Sequence, residues 1–178
     1  VLLTRQPGGT EVGRRVREIV LSPQTGDIAH RTVALLYAAD KAEHVETVLL
    51  PALERGEVVV TDRYVDTAIA YQGAGRDLDA DEVATLNQWA TGGLRPHLTV
   101  LLDLAPEQGM ARFDGRDRIE QESAVFHRRV RQAFLDLAAT DPEHYLVLDA
   151  SGTRDEVAAA VRDAVRPLLS RVEREVRA

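Results

Sequence analysis

The chain has 178 residues, enough for one domain, 1–178, with a sizeable buried core. Its net charge of −7 argues against a general nucleic-acid binder, and no apolar run approaches the roughly 20 residues that cross a bilayer, so no membrane partner is expected. The absence of cysteine excludes disulfides and thiolate ligands or nucleophiles, and 44% hydrophobic with 29% charged residues fits a soluble globular protein, expected in the cytoplasm.

Val1 to Thr4 reads as a short strand entering a turn at Gln6-Pro7-Gly8-Gly9-Thr10. Two readings of that turn stand: backbone amides facing an anion, or a plain strand-to-helix connection. It is not the glycine-rich loop that ends in Gly-Lys-Ser or Gly-Lys-Thr, because no lysine follows. Thr10 is placed to cap a helix over about Glu11 to Leu21. After a Pro23- and Gly26-containing loop, helical spacing runs from about Arg31 to Glu54, with Pro51 as a kink or an early end and Gly56 as the stop. Tyr37 and Lys41 lie four apart on one face of it. The bland reading is core packing for Tyr37 and a solvated end for Lys41.

Val58-Val59-Val60-Thr61 has no polar alternation and reads as a strand buried on both faces. It runs into Asp62-Arg63, where open α/β sheets bind ligands. Arg63 offers a planar fork for a phosphate, and Asp62 an acid that orients the fork or a metal shell; a simple strand-end ion pair is the alternative. Tyr71 to Arg76, with two glycines, reads as a mobile or tightly turned segment. Asp79 caps a helix over about Ala80 to Thr91, on which Trp89 is expected to pack.

Leu98 to Leu104 is another apolar strand, and Pro106 opens a helix. Residues 112–122 put Arg112, Arg116 and Arg118 among acids around Gly115. That is either a solvated loop or a lid. A helix over about Ala124 to Ala139, a strand over His144 to Leu148, and a Thr153-capped helix to about Val176 complete the chain. Strands alternating with helices predict an α/β domain with a parallel sheet.

Six of these segments, in order and in spacing, resemble thymidylate kinases. They are Thr4-Arg5-Gln6-Pro7-Gly8-Gly9-Thr10, Asp62-Arg63-Tyr64, Ala70 to Arg76, Arg95-Pro96-His97-Leu98-Thr99, Leu102-Asp103-Leu104 and Asp117-Arg118-Ile119-Glu120. The resemblance implies transfer of the γ-phosphoryl group of ATP to dTMP, giving dTDP, with Mg2+ as cofactor. It implies a homodimer on a P-loop kinase (Rossmann-like) three-layer fold, with helices on both faces of a parallel sheet of strand order 2-3-1-4-5. It further implies that Arg63 grips the dTMP phosphate with Asp62 beside it, toward the metal through water. Tyr37 would stack on thymine, Lys41 bond a base carbonyl, and Tyr71 pack under the deoxyribose. Arg5 and the Gly8-Gly9 turn would lie near the acceptor phosphate, and Arg112, Arg116 and Arg118 in a lid over the ATP phosphates.

Three departures qualify the likeness. Gln6 stands where the family has Glu, and Lys41 where it usually has Arg, losing the bidentate fork. The sequence also begins at what would be the family's second strand, without the first strand and P-loop. The expectation is a thymidylate kinase lacking that segment through truncation, trimming or a misplaced start. Such a chain would be poorly folded alone, inactive, and gapped mid-sheet. The rival readings are a non-catalytic remnant that binds dTMP or a partner, and a related deoxynucleotide or nucleoside kinase.

Overall fold

The computed structural model describes residues 1–76, 78–110 and 117–175. Strand β1 (Leu2–Arg5) pairs in parallel with β2 (Val59–Asp62), in the register Leu2 with Val59 through Arg5 with Asp62. Strand β3 (Thr99–Asp103) pairs in parallel with β4 (Tyr145–Asp149), from Thr99 with Tyr145 to Asp103 with Asp149. The two pairs share no ladder among the described residues. The break between β2 and β3 falls where the order 2-3-1-4-5 puts its first strand.

One expectation for β2 is not met. Its burial alternates, with Val60 and Asp62 exposed, as Leu3 is on β1 and Leu102 and Val147 are on the second pair. An uninterrupted apolar run signals two covered faces only when helices lie over both, and over these side chains no described element does.

The connection from β1 to β2 is helical. Helix α1 (Glu11–Leu21) starts at Thr10, whose Oγ1 accepts from the Gly13 amide at 2.9 Å. It buries Val16 and Val20 against α2 (His30–His44). A wide turn at Val45–Leu49 joins α2 to α3 (Leu50–Glu54), where the Leu50 amide donates to Val45 O five residues back. Pro51 follows directly on this wide turn, and the helical run continues past it to Glu54. Gly56, with φ 73°, closes it.

A second wide turn, Ile69–Gly75, follows the short helix α4 (Val65–Ala68). Helix α5 (Ala80–Ala90) is capped by Asp79, which accepts from the amides of Asp81 and Glu82. It buries Val83, Asn87 and Ala90. Trp89 lies off that stripe and is 80% exposed, so it does not pack as expected. Helices α6 (Pro106–Met110), α7 (Ala124–Thr140) and α8 (Arg154–Glu175) follow. At α8 the Thr153 hydroxyl and Glu156 form a reciprocal cap.

Two apolar clusters fix the middle of the chain. Val45, Leu49 and Tyr64 form one, and Ala70, Phe126 and Val130 the other. Gly75 packs so closely on Phe126 that a Cβ there would stand 2.7 Å from its ring. The segment from Arg63 to Tyr71 is thus held at both ends, at the carboxyl end of β2.

Candidate active site

Arg63 is the first residue beyond β2 and sits in left-handed backbone with φ 68°. For a residue with a Cβ this conformation costs roughly 1–2 kcal/mol, and it persists only where the surroundings over-determine it. Both flanks do so. The Thr61 hydroxyl donates to Arg63 O at 3.1 Å, and the buried Tyr64 donates its phenol to Leu94 O at 3.0 Å. The guanidinium then lies 5.3 Å from the centre of the Tyr71 ring. Tyr71 is set edge-on against Phe126 and Phe134, at 6.0 and 6.2 Å.

Helix α2 supplies the opposite wall. Lys41 is 2% exposed, so it is no solvated helix end. Its Nζ donates to Tyr37 O at 3.3 Å and stands 5.6 Å from the Tyr37 ring centre. Burial pushes the ammonium down to about 8, with Asp40 acting the other way. Burial pushes the Tyr37 phenol up to about 12, so it stays neutral at pH 7. Tyr37, Lys41, Arg63 and Tyr71 line one cavity of about 140 Å³. Gln72, at 1% exposure, lines it too, and its Oε1 has no partner among the described residues. A second cavity, of about 370 Å³, lies against β3 and α7 and is lined by Leu102, Asp103 and Arg131. Arg63, Tyr71, Glu120 and His127 line both.

The Gln6–Thr10 turn is tied down from α2. The Gly8 amide donates to Asp40 Oδ1 at 3.0 Å, so it faces inward and is not free for an anion. Gln6 Nε2 donates to His44 Nδ1 at 2.8 Å. That bond assigns the neutral tautomer in which His44 Nε2 donates to Thr4 Oγ1 at 2.7 Å, and burial lowers the His44 pKa in the same sense. A Cβ on Gly9 would stand 2.5 Å from His44 Nε2 and 2.9 Å from Arg5 O, so the close approach requires glycine. Asp40 and His44 are both completely buried, and Asp40 Oδ2 has no partner among the described residues.

The remaining expected residues fall elsewhere. Arg5 and Asp62 are paired in register at the strand ends, exposed, and line neither cavity. Arg118 donates its backbone N–H to Leu21 O at 3.1 Å and lines neither cavity. Its neighbours Asp117 and Glu120 cap one another's backbone, which sets Glu120 where the cavities meet. Arg112 and Arg116 lie outside the described residues. Sequence reasoning missed Gln72, Asp40, His44 and His127. For Asp40, His44 and His127 the available signal was polarity within helical segments; Gln72 lies inside the Ala70 to Arg76 motif but was assigned no role.

The left-handed arginine beyond the end of a parallel strand, and the aromatic-and-amide pocket beside it, lie where open α/β sheets bind their ligands. The family model "Thymidylate kinase" matches residues 1–161. The chain is 55% identical over 170 residues to a thymidylate kinase of Cutibacterium acnes, covering 96% of the chain and 83% of that protein. It is 56% identical over 166 residues to one of Leifsonia xyli, covering 91% and 78%. To one of a Synechococcus it is 52% identical over 169 residues, covering 94% and 81%. The chain belongs to the thymidylate kinase family, whose fold is that of the P-loop kinases and whose members are nucleoside monophosphate kinases acting on dTMP. No helix among the described residues is long and apolar enough to cross a membrane.

Proposed function

We propose that the cavity of about 140 Å³ is the dTMP site of a phosphoryl-transfer enzyme. The observation that carries it is the convergence of Tyr37, Lys41, Gln72, Arg63 and Tyr71 from three separate segments on one cavity. Tyr37 offers a ring to stack on a base. Gln72 offers an amide, a donor beside an acceptor, which matches the imide edge of thymine. Lys41 adds a cation for a base carbonyl. Arg63 meets the phosphate, and Tyr71 backs both Arg63 and the sugar. Phosphoryl transfer asks the protein mainly to position groups and to cancel charge on the equatorial oxygens.

ATP is the donor in this reading. The 178 residues contain no Gly-Lys-Ser or Gly-Lys-Thr, so we assign no donor-phosphate cradle within them and expect no turnover from them alone. Asp62, a single hard oxygen ligand exposed at the carboxyl end of β2, fits a Mg2+ that keeps its waters and is held chiefly by ATP phosphates. It does not fit a resident cage, for no group of three or more His, Asp or Glu converges among the described residues. When bound, Mg2+ would neutralise charge on the transferred group. Arg112, Arg116 and Arg118 belong to the lid in this proposal. A cytoplasmic homodimer is part of the same reading.

Calorimetric titration of the chain tests it. Binding of dTMP, with weaker binding of the ribonucleotide and of purine monophosphates, is expected. Equal binding of all four bases would favour a related nucleotide kinase, and no dTMP binding would overturn the assignment of this cavity.

A further inference from the structure

His127 stands out among the four side chains shared by the two cavities. It lies in the first turn of α7, whose start is fixed by Ser123 accepting from the Phe126 amide at 3.1 Å. Phe126 is buried in the core, and the His127 ring stands edge-on to it, 5.4 Å between centres at 86°. The imidazole is therefore held in place. Yet its Nε2 is buried and has no hydrogen-bond partner among the described residues. A buried ring nitrogen left unpaired is a cost, and the side chain that carries it lines both cavities, as Arg63 does.

We propose that His127 contacts substrate, its Nε2–H donating to a phosphoryl oxygen of dTMP on the side that Arg63 does not occupy. The proposal rests on the dTMP reading of the smaller cavity. The fork of Arg63 covers two oxygens at most, and a third donor from α7 would complete the set and fix the phosphate's rotation. A neutral imidazole suffices, since one ring nitrogen as donor meets an anionic oxygen. Glu120, the other polar group at the junction besides Tyr71, is an acid and cannot serve an anion in this way.

The test is calorimetry of the full chain and of His127→Phe and His127→Gln, each titrated with dTMP and with thymidine, which lacks the phosphate. His127→Phe keeps the ring's shape and removes the donor. It should bind dTMP about tenfold more weakly and thymidine within about twofold of the parent, the ratio expected for one charge-assisted hydrogen bond. His127→Gln, with an amide donor of similar reach, should recover most of the loss. Unchanged dTMP binding by His127→Phe overturns the proposal alone, and so does an equal loss for both ligands, which would make the ring a wall. A parent chain that binds neither ligand overturns the dTMP reading and this proposal together. If His127→Phe does not fold, the ring nitrogens report directly. On 15N-labelled parent chain, dTMP must move the His127 Nε2 resonance and thymidine must not; equal responses reject the contact.

Discussion

At the carboxyl end of β2, Arg63 is held in left-handed backbone with its guanidinium over the Tyr71 ring, 5.3 Å from the centre. Next to the carboxyl end of β3, Arg131 closes a bidentate pair on Asp103, at 2.6 and 2.8 Å. Both arginines line the larger cavity, and only Arg63 reaches the smaller one. The Arg131 fork is already committed to a carboxylate, which the pairing holds below the usual carboxylate range. The Arg63 fork faces a ring and a cavity, and strained backbone keeps it there. What distinguishes Arg63 from Arg131 is a fork that is not closed on a carboxylate together with strained backbone; charge and position near a strand end are the same for both.

The sharpest way to break that contrast is Arg63→Ala. A hydrogen bond to a charged group contributes roughly 1.5–3 kcal/mol, so dTMP affinity should fall at least about tenfold. Alanine also keeps the left-handed strain without the fork. Affinity within about twofold of the parent, read by calorimetry, would remove Arg63 from the site.

Tyr37→Ala comes next. Base–aromatic stacking is worth roughly 1–3 kcal/mol, so dTMP binding should weaken about fivefold or more, and thymidine binding with it. Because thymidine carries no phosphate, this variant separates the base wall from the Arg63 wall. A loss confined to dTMP would refute stacking by Tyr37.

Lys41 gives a smaller, pH-dependent effect with opposite signs in stability and binding. Its folded pKa is about 8, against an ordinary 10.5. Between those values the unfolded chain carries a proton that the folded chain lacks, so stability rises with pH across that window and bears the full penalty below it. Binding that needs the ammonium falls over the same window. Lys41→Met should therefore flatten both slopes, raise stability at neutral pH and weaken dTMP binding. Denaturant melts and titrations at pH 7 and 9.5 check this; parallel slopes for parent and variant would exclude Lys41 as the titrating group.

Much of this was legible in the sequence. Thr10, Asp79 and Thr153 mark helix starts through local chemistry, and each is found as a cap. Arg63 and Tyr71 are marked by a strand end and a motif. Of the α2 interior, Tyr37 and Lys41 were legible through the family resemblance, but Asp40 and His44 were not. An exposure of 2% removes the solvated-end alternative for Lys41, and an exposure of 80% reverses the expected packing of Trp89. A polar residue mid-helix gives no local sign of which neighbour covers it. Asp40 and His44 become meaningful only once the Gln6–Thr10 turn is folded onto them, with bonds that join residues 32 to 40 apart in sequence. The wide turns at Val45–Leu49 and Ile69–Gly75 were equally invisible, since they differ from α-helix by one residue of hydrogen-bond offset.

Arg131→Met is the smallest and most discriminating change. Arg131 lines the larger cavity, as Arg63 does, so proximity alone would predict a loss of binding. The hydrogen-bond inventory predicts otherwise. Its fork is occupied by Asp103, and the two side chains are 41% and 23% exposed. Partly exposed ion pairs add little, because water and salt screen them. Freed of its partner, Asp103 remains solvated enough to stay ionised, and its pKa should return toward the ordinary carboxylate value. The thermal midpoint should move by no more than about 2 °C. Affinity for dTMP should stay within about twofold, because no donor in the smaller cavity is lost. A tenfold loss with Arg131→Met, matching Arg63→Ala, would mean that the Asp103 pair opens on binding and that the two arginines share the phosphate.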